Sequence, residues 1–199
     1  MFPVQIEEKL QMFREEKYVL LDAGEQTELE EKKKSGKVKL AFTAQGKTLI
    51  FISPEKNVLP YLDEKKKGAT ACADVFVYTH DAEKWDLHII EFKKTINTDS
   101  IGKSKWQFTM GIYNARAVAA FLGMEIRNIY LYSGFRNDNI TSMENASLIA
   151  LRANNNTRAL RKIKQWKEGN CELKIDGEDV KFSHKKIHLN QEGYGNISI

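Results

Sequence analysis

Apolar positions along the chain fall into short runs whose spacing changes from helical to alternating and back. Ile6, Leu10, Phe13 and Tyr18 recur at near-helical intervals behind Pro3, whose fixed φ suits a first helical turn, so a helix is predicted over residues 3–18. Val19–Leu21 is apolar, whereas Gly24–Lys34 is acidic and then basic, the pattern of a solvated helix or loop. Lys37–Ala44 and Thr48–Ser53 are rich in β-formers and separated by Gln45-Gly46-Lys47, which predicts a hairpin. Pro54–Gly68 reads as a loop with a short turn and the exposed run Glu64–Lys67. Ala73–Thr79 and Asp86–Lys94, dense in Val, Ile, Phe and Tyr, predict a second pair of strands. Residues 101–122 predict a long helix stopped by Gly123, and Arg127–Ser133 a strand ending at Gly134. Residues 144–168 read as helix, and Glu172–Leu189 as a hairpin turning at Asp176-Gly177. The predicted order is helix, four strands, helix, strand, helix, hairpin. It fits an α/β fold with a mixed central β-sheet flanked by helices.

Composition narrows the class without naming a function. The 199 residues are 42% hydrophobic and 29% charged, a globular balance rather than a disordered or fibrous one. That length suits one domain spanning 1–199, with neither linker nor repeat to divide it. The longest charge-free stretch, Trp106–Ala115, is half of the ~20 residues a membrane helix needs, so no membrane association is expected. The first residues carry acids where a secretory leader would be basic and then apolar. Cys72 and Cys171 are too few for a disulfide framework or zinc knuckle, so a reduced, cytoplasmic protein is expected. Charge is uneven along the chain. Six basic and nine acidic residues lie in 1–36, 15 and 12 in 37–150, and ten and six in 151–199. The overall net of +4 becomes informative only if the middle of the chain acts on a polyanion.

The chemistry-bearing stretch runs from Ala73 to Lys93. With a turn centred between Ala82 and Glu83, antiparallel partners have numbers summing to 165, which sets Asp74 opposite Glu91 with Cβ atoms roughly 4.5–5.5 Å apart. Lys93, two residues past Glu91, shares its face; a one-residue slip would move one strand's side chains to the other face. Two adjacent carboxylates repel, and a divalent cation relieves that repulsion. Hard oxygen ligands of this kind, completed by waters and a substrate phosphate, describe a Mg²⁺ site. Such a metal can polarise a phosphoryl oxygen and lower the pKa of water, with a lysine beside it to orient the attack or stabilise developing charge. No paired His and base suggests a Ser or Cys nucleophile.

An Asp opening one strand, Glu-x-Lys on the next and a helix after it resemble the PD-(D/E)xK nuclease superfamily. Asp74 matches the first acid, although Ala73 stands where the motif has proline, and Glu91-Phe92-Lys93 matches the second element. The run Ile89-Ile90-Glu91-Phe92-Lys93-Lys94-Thr95 is similar to the version in RecB-like nucleases and archaeal-type Holliday-junction resolvases. The resemblance covers about residues 37–133 and implies a restriction-endonuclease-like core. It implies Mg²⁺ or Mn²⁺ held by Asp74, Glu91 and the Phe92 carbonyl, with Lys93 assisting attack on a phosphodiester. The expected function is a metal-dependent endonuclease, DNA favoured over RNA, in which Asp74, Glu91 and Lys93 act through a metal-activated water. The alternative is an inactive nuclease-like module that binds nucleic acid or a protein partner. Nucleases this small often act as homodimers or with a partner protein. The family's Gln-x-x-x-Tyr is incomplete, because Gly111 follows Gln107 by four residues. An acid from the N-terminal region often completes the family's site, and Glu16 and Glu28 are the candidates.

On the predicted helix, Lys103, Gln107 and Asn114 fall within about 40° of one another, a polar stripe that could face the metal or the phosphate backbone. An apolar stripe of Trp106, Met110, Tyr113 and Ala117 runs beside it. Gln107 is the candidate catalytic residue of the polar stripe. Six basic residues and no acid lie between Arg152 and Lys167, and Arg158, Arg161 and Lys162 share a face. With Lys103 they are the candidate nucleic-acid contacts, against the simpler reading of a solvated face. His88 belongs to the face opposite Glu91 and reads as structural. His184 and His188, on a predicted strand, do not read as a metal pair. Trp85, Trp106 and Trp166 could stack on bases, though core packing is the commoner use of tryptophan.

Overall fold

A computed structural model describes residues 2–33, 36–52, 62–81, 83–143 and 145–199. Helix α1 (Val4–Leu10) buries Ile6 and Leu10 and is shorter than predicted; a 3-10 turn at Glu15–Lys17 leads into β1 (Tyr18–Leu21). The remaining strands are β2 (Gln26–Lys33), β3 (Gly36–Thr43), β4 (Thr48–Ile52), β5 (Val75–Asp81), β6 (Lys84–Ile96), β7 (Ile126–Asp138), β8 (Asn170–Ile175), β9 (Glu178–His188) and β10 (Tyr194–Ser198). Helices α2 (Thr98–Leu122), α3 (Asn145–Ala153) and α4 (Thr157–Lys167) complete the chain.

Seven strands form a mixed sheet in the order β1-β4-β5-β6-β7-β9-β8. The β4–β5 and β5–β6 pairs are antiparallel, and β7 lies parallel to β6 after the α2 crossover. A second, three-stranded sheet has the order β10-β3-β2. The mixed α/β architecture with helices against a central sheet is therefore as expected.

Alternation assigns the two faces. Phe76, Tyr78, Leu87 and Ile89 point toward α2, where they meet Phe108, Ile112, Ala115 and Ala119. Val75, Val77, Ile90 and Phe92 point the other way, against Leu29, Leu40 and Phe42 of the small sheet. A third cluster joins Phe135 and Ile96 to Ile163 and Trp166 of α4.

Four expectations are corrected. Gly24–Lys34 is neither helix nor solvated loop but contains β2, whose single apolar residue, Leu29, is fully buried. Lys37–Ala44 and the strand after it are not hairpin partners, because β3 belongs to the small sheet and β4 to the large one. The stretch 144–168 holds two helices, interrupted where Asn155 adopts a positive φ of 49°. Strand β7 runs on through Gly134 to Asp138. Part of the predicted loop at 54–68, Ser53, Ala82 and Glu144 lie outside the described residues. The α2 stop at Gly123, in the left-handed region at φ 77°, and the turn between β8 and β9 at Asp176-Gly177 are as predicted. No helix among the described residues is long and apolar enough to cross a membrane.

Candidate metal and phosphodiester site

The β5–β6 ladder pairs Val75 with Ile90 and Phe76 with Ile89, the register inferred from a sum of 165. The ladder ends at Val75–Ile90, and beyond it the backbone N–H of Asp74 donates to the Ile90 carbonyl at 3.1 Å, one residue short of the Glu91 partner that the register predicts. Asp74 Oδ2 in turn accepts the Phe92 N–H at 2.7 Å. In an extended strand a residue's N–H and C=O emerge on the same edge, so the Phe92 carbonyl also opens toward Asp74.

Glu91 is fully buried and Lys93 only 17% exposed. The Lys93 ammonium donates to Glu91 Oε1 and, at 2.7 Å, to Gln107 Oε1. The Gln107 amide donates to Glu91 Oε1 at 2.7 Å and to the Cys72 carbonyl at 3.3 Å. Gln107 therefore ties β6 and the segment leading into β5 to the helix, and its two ends are fixed: the oxygen faces the Lys93 ammonium and the NH₂ faces the carboxylate. Of the polar stripe, only Gln107 reaches the acids. Asn114 is buried and donates to Cys72 Sγ at 3.4 Å, while Lys103 is exposed.

Cys72 was missed as part of this surround. Burial pushes its thiol up to about 11, partly opposed by the Asn114 amide, and the charges of Glu91 and Asp74 push it further up. Both carboxylates are thus close enough to act on one thiol, which stays protonated and is no nucleophile at neutral pH. Its place two residues before Asp74 was visible, but nothing in a lone Cys announces this contact.

The donors available to a cation are two carboxylates and a backbone carbonyl, a hard-oxygen set that fits Mg²⁺ or Mn²⁺. Among the described residues no group of three or more His, Cys, Asp or Glu could hold a metal, so neither N-terminal acid joins the pair. Glu28 faces outward from the small sheet, on the opposite side of the large one, and pairs with Lys39; Glu16 is exposed in the 3-10 turn.

The predicted basic contacts gather along the junction of α2 and α4. Arg158 and Lys162 line a hollow of about 350 Å³ with Arg161, and an adjoining one of about 470 Å³ with Lys103. Lys162 donates to the Thr98 carbonyl at 2.7 Å, and Arg161 pairs with Glu172, so both are partly committed to holding the fold.

Two histidines are buried in hydrogen-bonded positions away from the acids. His88 joins Thr79 Oγ1 and Tyr132 OH, each at 3.0 Å, on the face away from Glu91. His184 meets Ser133 Oγ at 2.9 Å between Phe108 and Trp166. Burial holds both imidazoles neutral, with pKa pushed down to about 4. No family model matches the chain, and neither a curated protein nor a solved structure matches it significantly.

Proposed function

We propose that the protein is a metal-dependent nuclease of the PD-(D/E)xK type that hydrolyses phosphodiester bonds, DNA favoured over RNA. One observation carries this reading. Residues 74, 91, 93 and 107, distant in sequence, converge on one buried carboxylate and one strand edge through Asp74–Phe92, Lys93–Glu91 and Gln107–Glu91 contacts. Burying Glu91 costs several kcal/mol unless it is compensated, and here a lysine and an amide compensate it. A purely structural site would be served as well by apolar residues, so the retained charge supports a chemical role. The three antiparallel strands, crossover helix and parallel strand formed by β4, β5, β6, α2 and β7 also support a restriction-endonuclease-like core.

Asp74, Glu91 and the Phe92 carbonyl would hold Mg²⁺ or Mn²⁺, which when bound supplies Lewis-acid polarisation of a phosphoryl oxygen and a more acidic water. Lys93, two residues past Glu91 on the same strand face and held by Glu91 and Gln107, would supply the charge that stabilises the developing dianion and orients the attacking water. Gln107 is a positioning residue: it fixes the Lys93 ammonium and one Glu91 oxygen together.

The test is cleavage of labelled single- and double-stranded DNA and RNA with Mn²⁺, Mg²⁺ or EDTA. Asp74→Ala, Glu91→Gln and Glu91→Ala are expected to abolish metal-dependent cleavage while circular dichroism stays native. Wild-type cleavage by all three variants refutes the assignment. Tight binding without cleavage of any form assigns the fold to the binding module instead. The described residues carry one such centre, so cutting both strands of a duplex would take a homodimer or a partner protein.

A further inference from the structure

The two hollows between α2 and α4 share Gly102, Trp106, Arg158 and Lys162, and so form one continuous trough. Its lining holds seven basic side chains against three acidic ones, a local excess that the whole-chain charge of +4 conceals. Lys162 crosses α2 at Gly102, where a Cβ would sit 2.8 Å from its Nζ, and thereby forms part of the floor. Lys67, Lys103 and Arg158 stand exposed on the walls. Trp106 lies between the two halves and is 45% exposed, whereas Trp85 and Trp166 are buried. Its indole rests on the backbone of Gly68, which at φ 85° has no Cβ to offer; one built there would come within 2.5 Å of the ring. A large aromatic held open to solvent by backbone, inside a basic trough, is costly for folding and useful for stacking.

We infer that this trough binds single-stranded nucleic acid, with Trp106 stacking on an unpaired base while Lys67, Lys103 and Arg158 hold the flanking phosphates. A duplex keeps its bases stacked on each other and offers Trp106 no face. Lys103 precedes Gln107 by four residues, about 6 Å along the helix, so a strand following α2 past Lys103 arrives at Gln107, which holds Glu91 and Lys93. The inference deepens the nuclease reading by naming its substrate form, and its binding half holds without catalysis.

The experiment is titration of the full chain in EDTA with a short oligothymidine and with a blunt duplex of equal length, following tryptophan emission. Trp106 is the one tryptophan a base can reach, so binding of the single strand is expected to quench it. Trp106→Ala should weaken single-strand binding about ten-fold or more, the loss typical of a base-stacking aromatic. Trp106→Phe should restore much of it, which a merely structural role for the indole would not produce. Lys103→Gln with Arg158→Gln should lower the slope of log K against log salt by about 1.4. Unchanged emission on binding, wild-type affinity in Trp106→Ala, or tighter binding of the duplex overturns the inference. Quenching without cleavage in Mn²⁺ sustains the trough and removes the nuclease reading. Conversely, cleavage of single strands by Trp106→Ala at wild-type kcat/KM removes the trough and leaves the nuclease.

Discussion

Replacing Lys93 by methionine tests the electrostatics of the site without any assay of cleavage. The unbranched side chain is shorter by one atom and loses its charge, which strips the fully buried Glu91 carboxylate of the ammonium lying against its Oε1. Breaking a buried pair from one side costs about 3–5 kcal/mol, because the remaining charge stays desolvated. Two features put this site at the lower end: Lys93 is 17% exposed, and the Gln107 amide still donates to Glu91 Oε1 at 2.7 Å. A loss of about 3 kcal/mol at neutral pH corresponds to a Tm lower by roughly 6–12 °C in a chain this long. Glu91→Gln combined with Lys93→Met removes both charges while leaving an amide of the same shape. It should recover most of the loss and end within about 1.5 kcal/mol of wild type. Thermal unfolding of the wild type, both single variants and the double variant closes the cycle. Added Mn²⁺ should raise the Tm of Lys93→Met more than that of the wild type, since a divalent ion replaces the missing cation beside Glu91. A Lys93→Met Tm within 2 °C of wild type (less than about 1 kcal/mol here), or a double variant less stable than either single, refutes the argument.

Two further outcomes follow from burial alone. His88 and His184 are held neutral near pKa 4 against an ordinary 6.5, so below pH 6.5 the unfolded chain takes up protons that the folded chain refuses. Stability is therefore full above pH 6.5 and falls toward pH 4, by about 3 kcal/mol for each imidazole. Urea midpoints across that range and imidazole titration by NMR check it, and a native midpoint near 6.5 for either ring contradicts it. Gly134→Ala would drive a Cβ to 2.6 Å from Phe92 Cδ1, in a ring only 3% exposed. The expected cost is about 1–3 kcal/mol, with a weaker Mn²⁺ response because the displaced residue carries the carbonyl facing Asp74; unchanged stability would show that the core absorbs the methyl.

The part of the fold that carries the site was legible because its pairing is local. Strands β5 and β6 are joined by a few residues, so the turn fixes their register from Val75–Ile90 onward, and period-2 alternation then puts Glu91 and Lys93 on one face, while Asp74, just outside β5, meets the Phe92 N–H instead. The misread segments all involve pairing between distant parts of the chain. Strand β10 lies parallel to β3, some 155 residues away in sequence, and no local pattern announces it. Strand β2 has one buried apolar residue and otherwise looks like a solvated charged run. The false hairpin of β3 with β4 had a usable warning. Strand β3 alternates, with Val38, Leu40 and Phe42 buried, whereas Leu49, Ile50 and Phe51 of β4 are buried in succession. Hairpin partners share the same two faces, so a strand covered on one side and a strand covered on both belong in different sheets.

Helix α2 shows why the polar stripe was only partly readable. At 100° per residue, Lys103, Gln107 and Asn114 share a direction, but what each meets depends on how far it lies along the sheet. Near the strand ends, Gln107 reaches the carboxylates; two turns later Asn114 is sealed against Cys72, and one turn earlier Lys103 is in solvent. Trp106, assigned to the apolar stripe, escapes burial for a related reason. The buried face is set by Ile101, Phe108, Ile112, Ala115 and Ala119, and it leaves position 106 at the helix flank facing α4. Angular position alone thus divides α2 into polar and apolar stripes, whereas its axial position divides it into a chemical end and a structural end. The same short segment, 103–107, then borders both the buried acids and the basic trough. A substitution there should move binding and the site's electrostatics together, whereas one beyond Ala115 should move only stability.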